Sequence, residues 1–198
     1  MPKLLLATFN QGKIREYRFL LDRLGYQITT LTEEGITKIV TESGNNYGQN
    51  ARLKAITYAK LSKFTTLADD SGLEVDFLNG EPGIKSARFA GEAATDAEKV
   101  SLLLAKLNGI PWEKRTARFK CVIAIASPGG RVELCYGECH GMVAFEAKGE
   151  NGFGYDPIFC LPKIGKTMAE LPFEMKNQIS HRARASQKAR QVLQQLYI

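Results

Sequence analysis

Apolar and polar positions alternate between strand-like runs and helix-like periods along the chain. Residues 3–7, a lysine followed by the apolar run Leu4-Leu5-Leu6-Ala7, predict a first, buried strand. Asn10 then stands as a helix cap, with Ile14, Tyr17, Leu20, Leu21 and Leu24 recurring on one face and Gly25 as the stop. Residues 26–31 predict a second strand. Residues 47–61 predict a second helix, in which Ala51, Lys54, Ala55 and Tyr58 share helical spacing. A short strand over 65–68 ends at Asp69-Asp70. A further strand follows over 73–78, before the turn Gly80-Glu81-Pro82-Gly83. Thr95 caps a third helix reaching residue 107, with Val100, Leu103, Leu104 and Leu107 turned inward.

The second half changes character. Residues 117–126 and 132–138 are β-rich and separated by Pro128-Gly129-Gly130, which reads as a hairpin. Further strands are predicted over 142–146 and 157–161, with a glycine- and aromatic-rich loop at 149–157. Ser180 caps a last helix through residue 196. The order implies an α/β fold with an elongated mixed sheet flanked by helices and a cleft between two lobes. No stretch reads as a linker between independent domains, so residues 1–198 are taken as one domain.

Composition narrows the class. The 198 residues are 44% hydrophobic and 24% charged, a globular balance sufficient for one good core. No apolar run approaches the length needed to span a bilayer. The opening apolar run stops at Asn10 and reads as a strand, not a signal peptide, so a cytosolic location is expected. The cysteines Cys121, Cys135, Cys139 and Cys160 form no CxxC pair, which favours buried free thiols. Cys135-x-x-x-Cys139-His140 is at most an incomplete zinc pattern without a second ligand pair. The net charge is +6, and no acid follows Glu174, whereas Lys176, Arg182, Arg184, Lys188 and Arg190 do. Such a tail suits nucleic acid, a small polyanion, or simply solvent.

Four segments carry candidate chemistry. Thr8-Phe9-Asn10-Gln11-Gly12-Lys13 places small polar groups and a lysine where the first strand turns into the first helix. Free backbone N–H groups at a helix start make an anion site, although a capped helix with a surface lysine fits the same residues. Ala68-Asp69-Asp70-Ser71-Gly72 places two carboxylates side by side. Successive side chains of a strand face opposite ways, so both serve one cation only if the chain turns there, and Gly72 is expected to supply the turn. The alternative is a turn that caps its own backbone. Glu42 is a candidate second carboxylate for magnesium, which takes one or two protein carboxylates plus substrate phosphates. Gly152-Phe153-Gly154-Tyr155-Asp156-Pro157 offers aromatic faces and a carboxylate suited to a nucleobase, or else a turn with core aromatics. Ser180-His181-Arg182 begins the basic helix, where Arg182 can donate to a keto oxygen or a phosphate.

Taken in order, these segments resemble the inosine triphosphate pyrophosphatase family, hydrolases of non-standard purine nucleoside triphosphates. The matching stretches also include Asn50-Ala51-Arg52-Leu53-Lys54-Ala55, Pro82-Gly83-Ile84-Lys85-Ser86-Ala87-Arg88-Phe89 and Lys166-Thr167. The resemblance covers nearly the whole chain. It implies conversion of ITP, dITP and XTP to the monophosphate plus pyrophosphate with Mg2+, by a homodimer whose active site lies in the cleft. It puts Asp70 at the catalytic acid–base and metal position and Glu42 at a metal position, with Asp69 as a further candidate ligand. It puts Thr8, Asn10, Lys13 and Lys54 on the phosphate side, and Ser71 is a further substrate-binding candidate. Phe153, Gly154, Tyr155, Asp156, Lys176, His181 and Arg182 fall at base- and nucleotide-binding positions.

The chain departs from the family pattern at Glu42-Ser43-Gly44-Asn45-Asn46-Tyr47-Gly48-Gln49-Asn50, where Asn46 replaces a threonine and Gln49 a second glutamate. The expected chemistry is attack of water on the α-phosphorus, with Asp70 taking the proton, Lys13 and Lys54 holding phosphates, and Arg182 or backbone near His181 donating to the 6-keto oxygen. The nearest rival is a Maf-type dTTP or UTP pyrophosphatase, whose first motif is rich in serine and arginine, unlike residues 8–13. A rival of another class is a basic nucleic-acid-binding module. That module needs aromatics among its basic residues, and the tail has only Tyr197.

Overall fold

The computed structural model describes residues 1–197. In chain order the strands are β1 (Lys3–Leu6), β2 (Gln27–Thr30), β3 (Thr65–Val75), β4 (Thr116–Ala126), β5 (Val132–Val143), β6 (Phe159–Leu161) and β7 (Lys166–Thr167). The α-helices are α1 (Gln11–Leu20), α2 (Tyr47–Ser62), α3 (Asp96–Lys106), α4 (Phe173–Ile179) and α5 (His181–Tyr197). The strands form one mixed sheet in the order β2-β1-β3-β4-β5-β6-β7. β1 runs parallel to both β2 and β3, with Leu5 opposite Thr29 and Thr66. Parallel neighbours need crossovers, which α1 and α2 supply. β6 is antiparallel to β5 and β7.

The chain divides into two compact units. The first comprises residues 1–70, 121–137 and 182–198, and the second residues 71–120 and 138–181. In the first, Leu4, Leu6 and Leu67 pack with Ile14, Tyr17, Leu21 and Leu24, with Cys121, Ile123 and Ile125, and with Ala185, Ala189 and Leu193 of α5. In the second, Leu73 and Val75 pack with Leu103 and Leu107, Phe119, Val143, Tyr155, Phe159 and Met168. Arg115 is buried there too, and its guanidinium donates to the carbonyls of Val143, Leu107 and Ala144 at 2.8 Å each. A buried arginine whose donors meet backbone carbonyls ties loops together and is no ligand site.

The mixed α/β sheet agrees with the pattern of apolar positions. Several boundaries differ; the strand expected over 157–161 is β6, which begins only after a 3₁₀ turn at residues 156–158. α1 stops at Leu20 because Arg23 and Gly25 take φ of +60° and +77°, although Leu21 and Leu24 still pack inward. The strands expected over 65–68 and 73–78 are one continuous β3, and residues 76–78 form a 3₁₀ turn. The strand expected over 142–146 is the end of β5 followed by loop. α4, not foreseen, is a seven-residue helix behind Pro172, too short for its apolar period to register.

Candidate active site

β3 carries the acidic pair through the sheet without a turn. Asp69 and Asp70 are both buried and face opposite ways, as neighbours on a strand must. The expectation that Gly72 turns the chain and points both carboxylates at one cation is therefore corrected. Each carboxylate belongs to a different cluster of the first unit.

Asp70 faces α2 and the segment before it. Its Oδ2 accepts from Asn50 Nδ2 at 3.0 Å, and its Oδ1 lies 3.9 Å from Lys54 Nζ. Lys54 Nζ in turn donates to Glu42 Oε1. One ammonium thus links two carboxylates that come from separate segments. Burial, and then Glu42, push the Asp70 carboxyl above its usual value, against the pull of Lys54. Burial opposes the charge on Lys54, but Asp70 and Glu42 outweigh it and raise its pKa. A carboxylate biased toward taking a proton, beside a cation, is the arrangement a general base needs.

The two departures from the family pattern lie just upstream and build the start of α2. Asn46 caps the helix by accepting from Gln49 N at 2.9 Å, and Gln49 Oε1 accepts from Asn45 N at 2.7 Å. This is a capping box shifted by one residue, and a carboxamide fills it as well as a carboxylate would.

Asp69 faces α1 and α5. Its Oδ1 accepts from Lys13 Nζ at 3.0 Å and its Oδ2 lies 3.3 Å from Arg182 Nη2. Arg182 is fully buried, and its Nη1 donates to Glu16 Oε2 at 2.6 Å. Burial acts against the charge of Asp69, but Lys13 and Arg182 outweigh it and hold the carboxyl well below its usual value. Asp69, expected as a metal candidate, is here the centre of an ion-pair network. Arg182, expected at the base, joins α5 to α1 and β3. Glu16 was missed by sequence reasoning because a glutamate on an amphipathic helix reads as solvated. At the start of α1, Asn10 Oδ1 caps Lys13 N at 2.9 Å and Thr8 Oγ1 accepts from Asn10 N at 3.2 Å. The helix therefore starts where an anion site was expected.

The remaining candidates lie in the second unit. Lys176 Nζ is paired with Asp156 Oδ2 and sits 4.7 Å over the Phe153 ring. Phe153 N donates to the same Asp156 oxygen at 2.9 Å. Gly152 (φ +77°) makes this possible, because a Cβ there would lie 2.0 Å from Asp156 Oδ2. Gly154 N donates to Asp96 Oδ2 at 2.6 Å, which ties the glycine loop to α3. The aromatic pair is not symmetrical. Phe153 is half-buried, whereas Tyr155 lies in the core with its hydroxyl on the Ser86 carbonyl at 2.9 Å. His181 stacks on Phe119 with ring centroids 4.6 Å apart. Ser71 follows Asp70 on β3 and is half-buried.

The basic tail has internal partners. Lys188 donates to the Tyr136 carbonyl at 2.7 Å, and Arg190 to the Leu20 and Asp22 carbonyls at 2.8 and 2.9 Å. With Arg182 and Lys176 also paired, these side chains form joints of the fold, not a phosphate-tracking stripe. Cys135 and Cys139 are buried on β5, whereas His140 is exposed and bonds Glu138 at 3.0 Å, so these three share no common point.

The donor set can be tested against magnesium. Among the described residues no cluster of three or more His, Cys, Asp or Glu surrounds one point. In the first unit three cations (Lys13, Lys54, Arg182) are set among four carboxylates (Glu16, Glu42, Asp69, Asp70). That balance leaves one carboxylate more than the cations, so a further cation would favour a bound polyphosphate. Glu42 and Asp70 offer hard oxygen donors, and two such ligands plus substrate phosphates suit magnesium. The residues present fit the ion.

The model of the Ham1 family matches residues 4–192. A dITP/XTP pyrophosphatase of Desulforamulus reducens is 51% identical over 197 residues, covering 99% of this chain and 98% of the relative. The Bacillus subtilis protein of the same name is 43% identical over 194 residues, covering 98% of each. Among solved structures, a HAM1 protein from Coxiella burnetii superposes with a TM-score of 0.88 at 39% identity, covering 98% of this chain and 100% of that one. The Staphylococcus aureus Ham1 protein gives 0.87 at 42%, covering 98% and 99%. The resemblance read from the motifs thus extends over sequence and fold alike, and the chain belongs to the Ham1 family.

Proposed function

We propose that the chain is a magnesium-dependent pyrophosphatase that converts ITP, dITP and XTP to the monophosphate and pyrophosphate, clearing them from the nucleotide pool. The observation that carries this reading is the buried Asp70, coupled through Lys54 to Glu42, in a chain alike over its full length to proteins named dITP/XTP pyrophosphatase. Glu42 and Asp70 would hold magnesium, which when bound would supply positive charge to offset that of the phosphates and the leaving group. Asp70 takes the proton of the attacking water. Lys13 and Lys54 exchange their carboxylate partners for phosphate oxygens. Thr8, Asn10 and the backbone N–H groups opening α1 receive the phosphate tail, and Ser71 is a further substrate-binding candidate. Asp69, Arg182 and Glu16 keep that cluster in place.

Selectivity belongs to the second unit. Phe153 supplies a stacking face, Gly154, Asp156 and Lys176 set polar groups beside it, and His181, stacked on Phe119, is a further base-side donor. Tyr155 supports the loop from beneath. Hypoxanthine and xanthine present a 6-keto acceptor where adenine presents an amino donor. A site built around donors there discriminates by ~10⁴–10⁵. The expected cytosolic location is supported by four free thiols. No helix among the described residues is long and apolar enough to cross a membrane. A homodimer is part of this proposal, and sedimentation velocity tests it.

The test of the activity is pyrophosphate release from ITP, XTP, dITP, GTP, ATP and dTTP, with and without magnesium. Magnesium-dependent release from the first three supports the reading. Release from dTTP favours the Maf-type rival. No release together with salt-dependent DNA binding favours the nucleic-acid module.

A further inference from the structure

We propose that Asn50 is a positioning residue that fixes the orientation of the Asp70 carboxylate, and that Gly44 holds Asn50 in the pose that does so. The inference rests on the proposed role of Asp70, but its geometry stands by itself. Asn50 is completely buried in the first turns of α2. Helical side chains lean toward the helix N-terminus, so its carboxamide reaches back to the segment before the cap. There Gly44 N donates to Asn50 Oδ1 at 2.8 Å. A backbone N–H can only donate, so the carboxamide oxygen must face Gly44 and the NH₂ must face the other way. That NH₂ meets Asp70 Oδ2 at 3.0 Å. Reversing the amide would set N–H against N–H and oxygen against carboxylate oxygen. One backbone donor thus dictates which face of Asn50 the carboxylate sees.

The approach requires glycine at position 44. A Cβ there would lie 2.6 Å from Asn50 Oδ1, 2.7 Å from Gln49 Cβ and 3.1 Å from Asn50 N. The obstructing atoms belong to a capped helix turn, because Gln49 is itself bonded to Asn45. Any side chain at 44 displaces Asn50. The consequence for Asp70 is an asymmetric carboxylate. Oδ2 is occupied by the amide, and Oδ1 is turned toward Lys54. Glu42 and Gly44 stand two residues apart in the same segment, so the stretch that delivers the second carboxylate also delivers the donor that orients the first.

The test uses Asn50→Ala, Gly44→Ala, the double variant and Asn50→Asp, assayed on dITP with thermal melting in parallel, and crystal structures of the single variants. Asn50→Asp keeps the side chain's shape and the acceptor for Gly44 N–H but replaces the donor facing Asp70 with an acceptor. The expected result is a kcat lower by about 10- to 100-fold in each single variant, since misplacing a reacting group by about 1 Å costs that much. KM should change by less than about threefold. The double variant should be no worse than the worse single one, because both break the same clasp. Asp70 should take a different rotamer in the crystals. Retention of kcat within about twofold in Asn50→Asp, or multiplying single effects, overturns the proposal. If the wild-type protein hydrolyses none of the nucleotides, the functional reading fails. The clasp is then judged by the crystals alone, where an unmoved Asp70 in both single variants overturns it.

Discussion

Because successive side chains of a strand face opposite ways, Asp69 and Asp70 meet different neighbours and do different work. Asp69 is locked between Lys13 and Arg182, while Asp70 accepts from Asn50 and lies 3.9 Å from Lys54. Replacing Asp70 with Asn should lower turnover by ~10²–10⁴ with little change in melting temperature, as expected for a lost general base. More than about a tenth of wild-type turnover would exclude that role. Replacing Arg182 with Ala leaves Glu16 and Asp69 buried without their shared cation. A loss of about 3–5 kcal/mol in urea unfolding is expected, as for other broken buried ion pairs. A role for Arg182 as donor to the 6-keto oxygen predicts instead that Arg182→Ala loses ITP over ATP preference more than phosphate binding, so the two measurements separate the readings. The residue types at the acidic pair were legible in the sequence. Their partners were not, since Glu16 lies 166 positions from Arg182 and carries no local signal.

At the scale of elements, the helix starts were the most legible features. Asn10 and Thr95 occupy the cap positions read from their side-chain chemistry. Asn46 and Gln49 looked like losses relative to the family pattern until their hydrogen bonds placed both in the cap of α2. Asn46→Ala should therefore cost about 1 kcal/mol of stability by thermal melting. It should also lower activity through the Gly44–Asn50 clasp one turn away, whereas Gln49→Glu should leave melting unchanged. The least legible element was β3. Gly72 suggested a turn, but Asp70 and Leu73 on either side of it are buried on opposite faces of the sheet, and packing overrode the local signal. That error hid the separation of the two carboxylates, since only an unbroken strand sends them opposite ways.

For the whole molecule, the +6 charge pointed outward to a polyanionic partner, yet Lys176, Arg182, Lys188 and Arg190 all turn to partners within their own unit. Net charge is legible in a sequence, but the internal partners of each cation depend on the fold. The two cores also bury groups that favour their neutral forms. Burial pushes the thiol of Cys121 up to about 12 and that of Cys135 up to about 11, from an ordinary 9.0. A raised folded-state value means the neutral thiol is the folded form. Its contribution is complete below pH 9 and is lost as pH rises toward 11 to 12. Melting temperature should therefore fall across that alkaline range. Cys121→Ala with Cys135→Ala should flatten part of the fall, the phenols of Tyr17 and Tyr155 sustaining the rest in the same direction. The central claim is hydrolysis at the α-phosphorus of a non-standard purine triphosphate, and it is tested most directly by cleaving dITP in ¹⁸O-labelled water with magnesium. The account predicts label in dIMP and unlabelled pyrophosphate, and label in pyrophosphate or release of orthophosphate would contradict it.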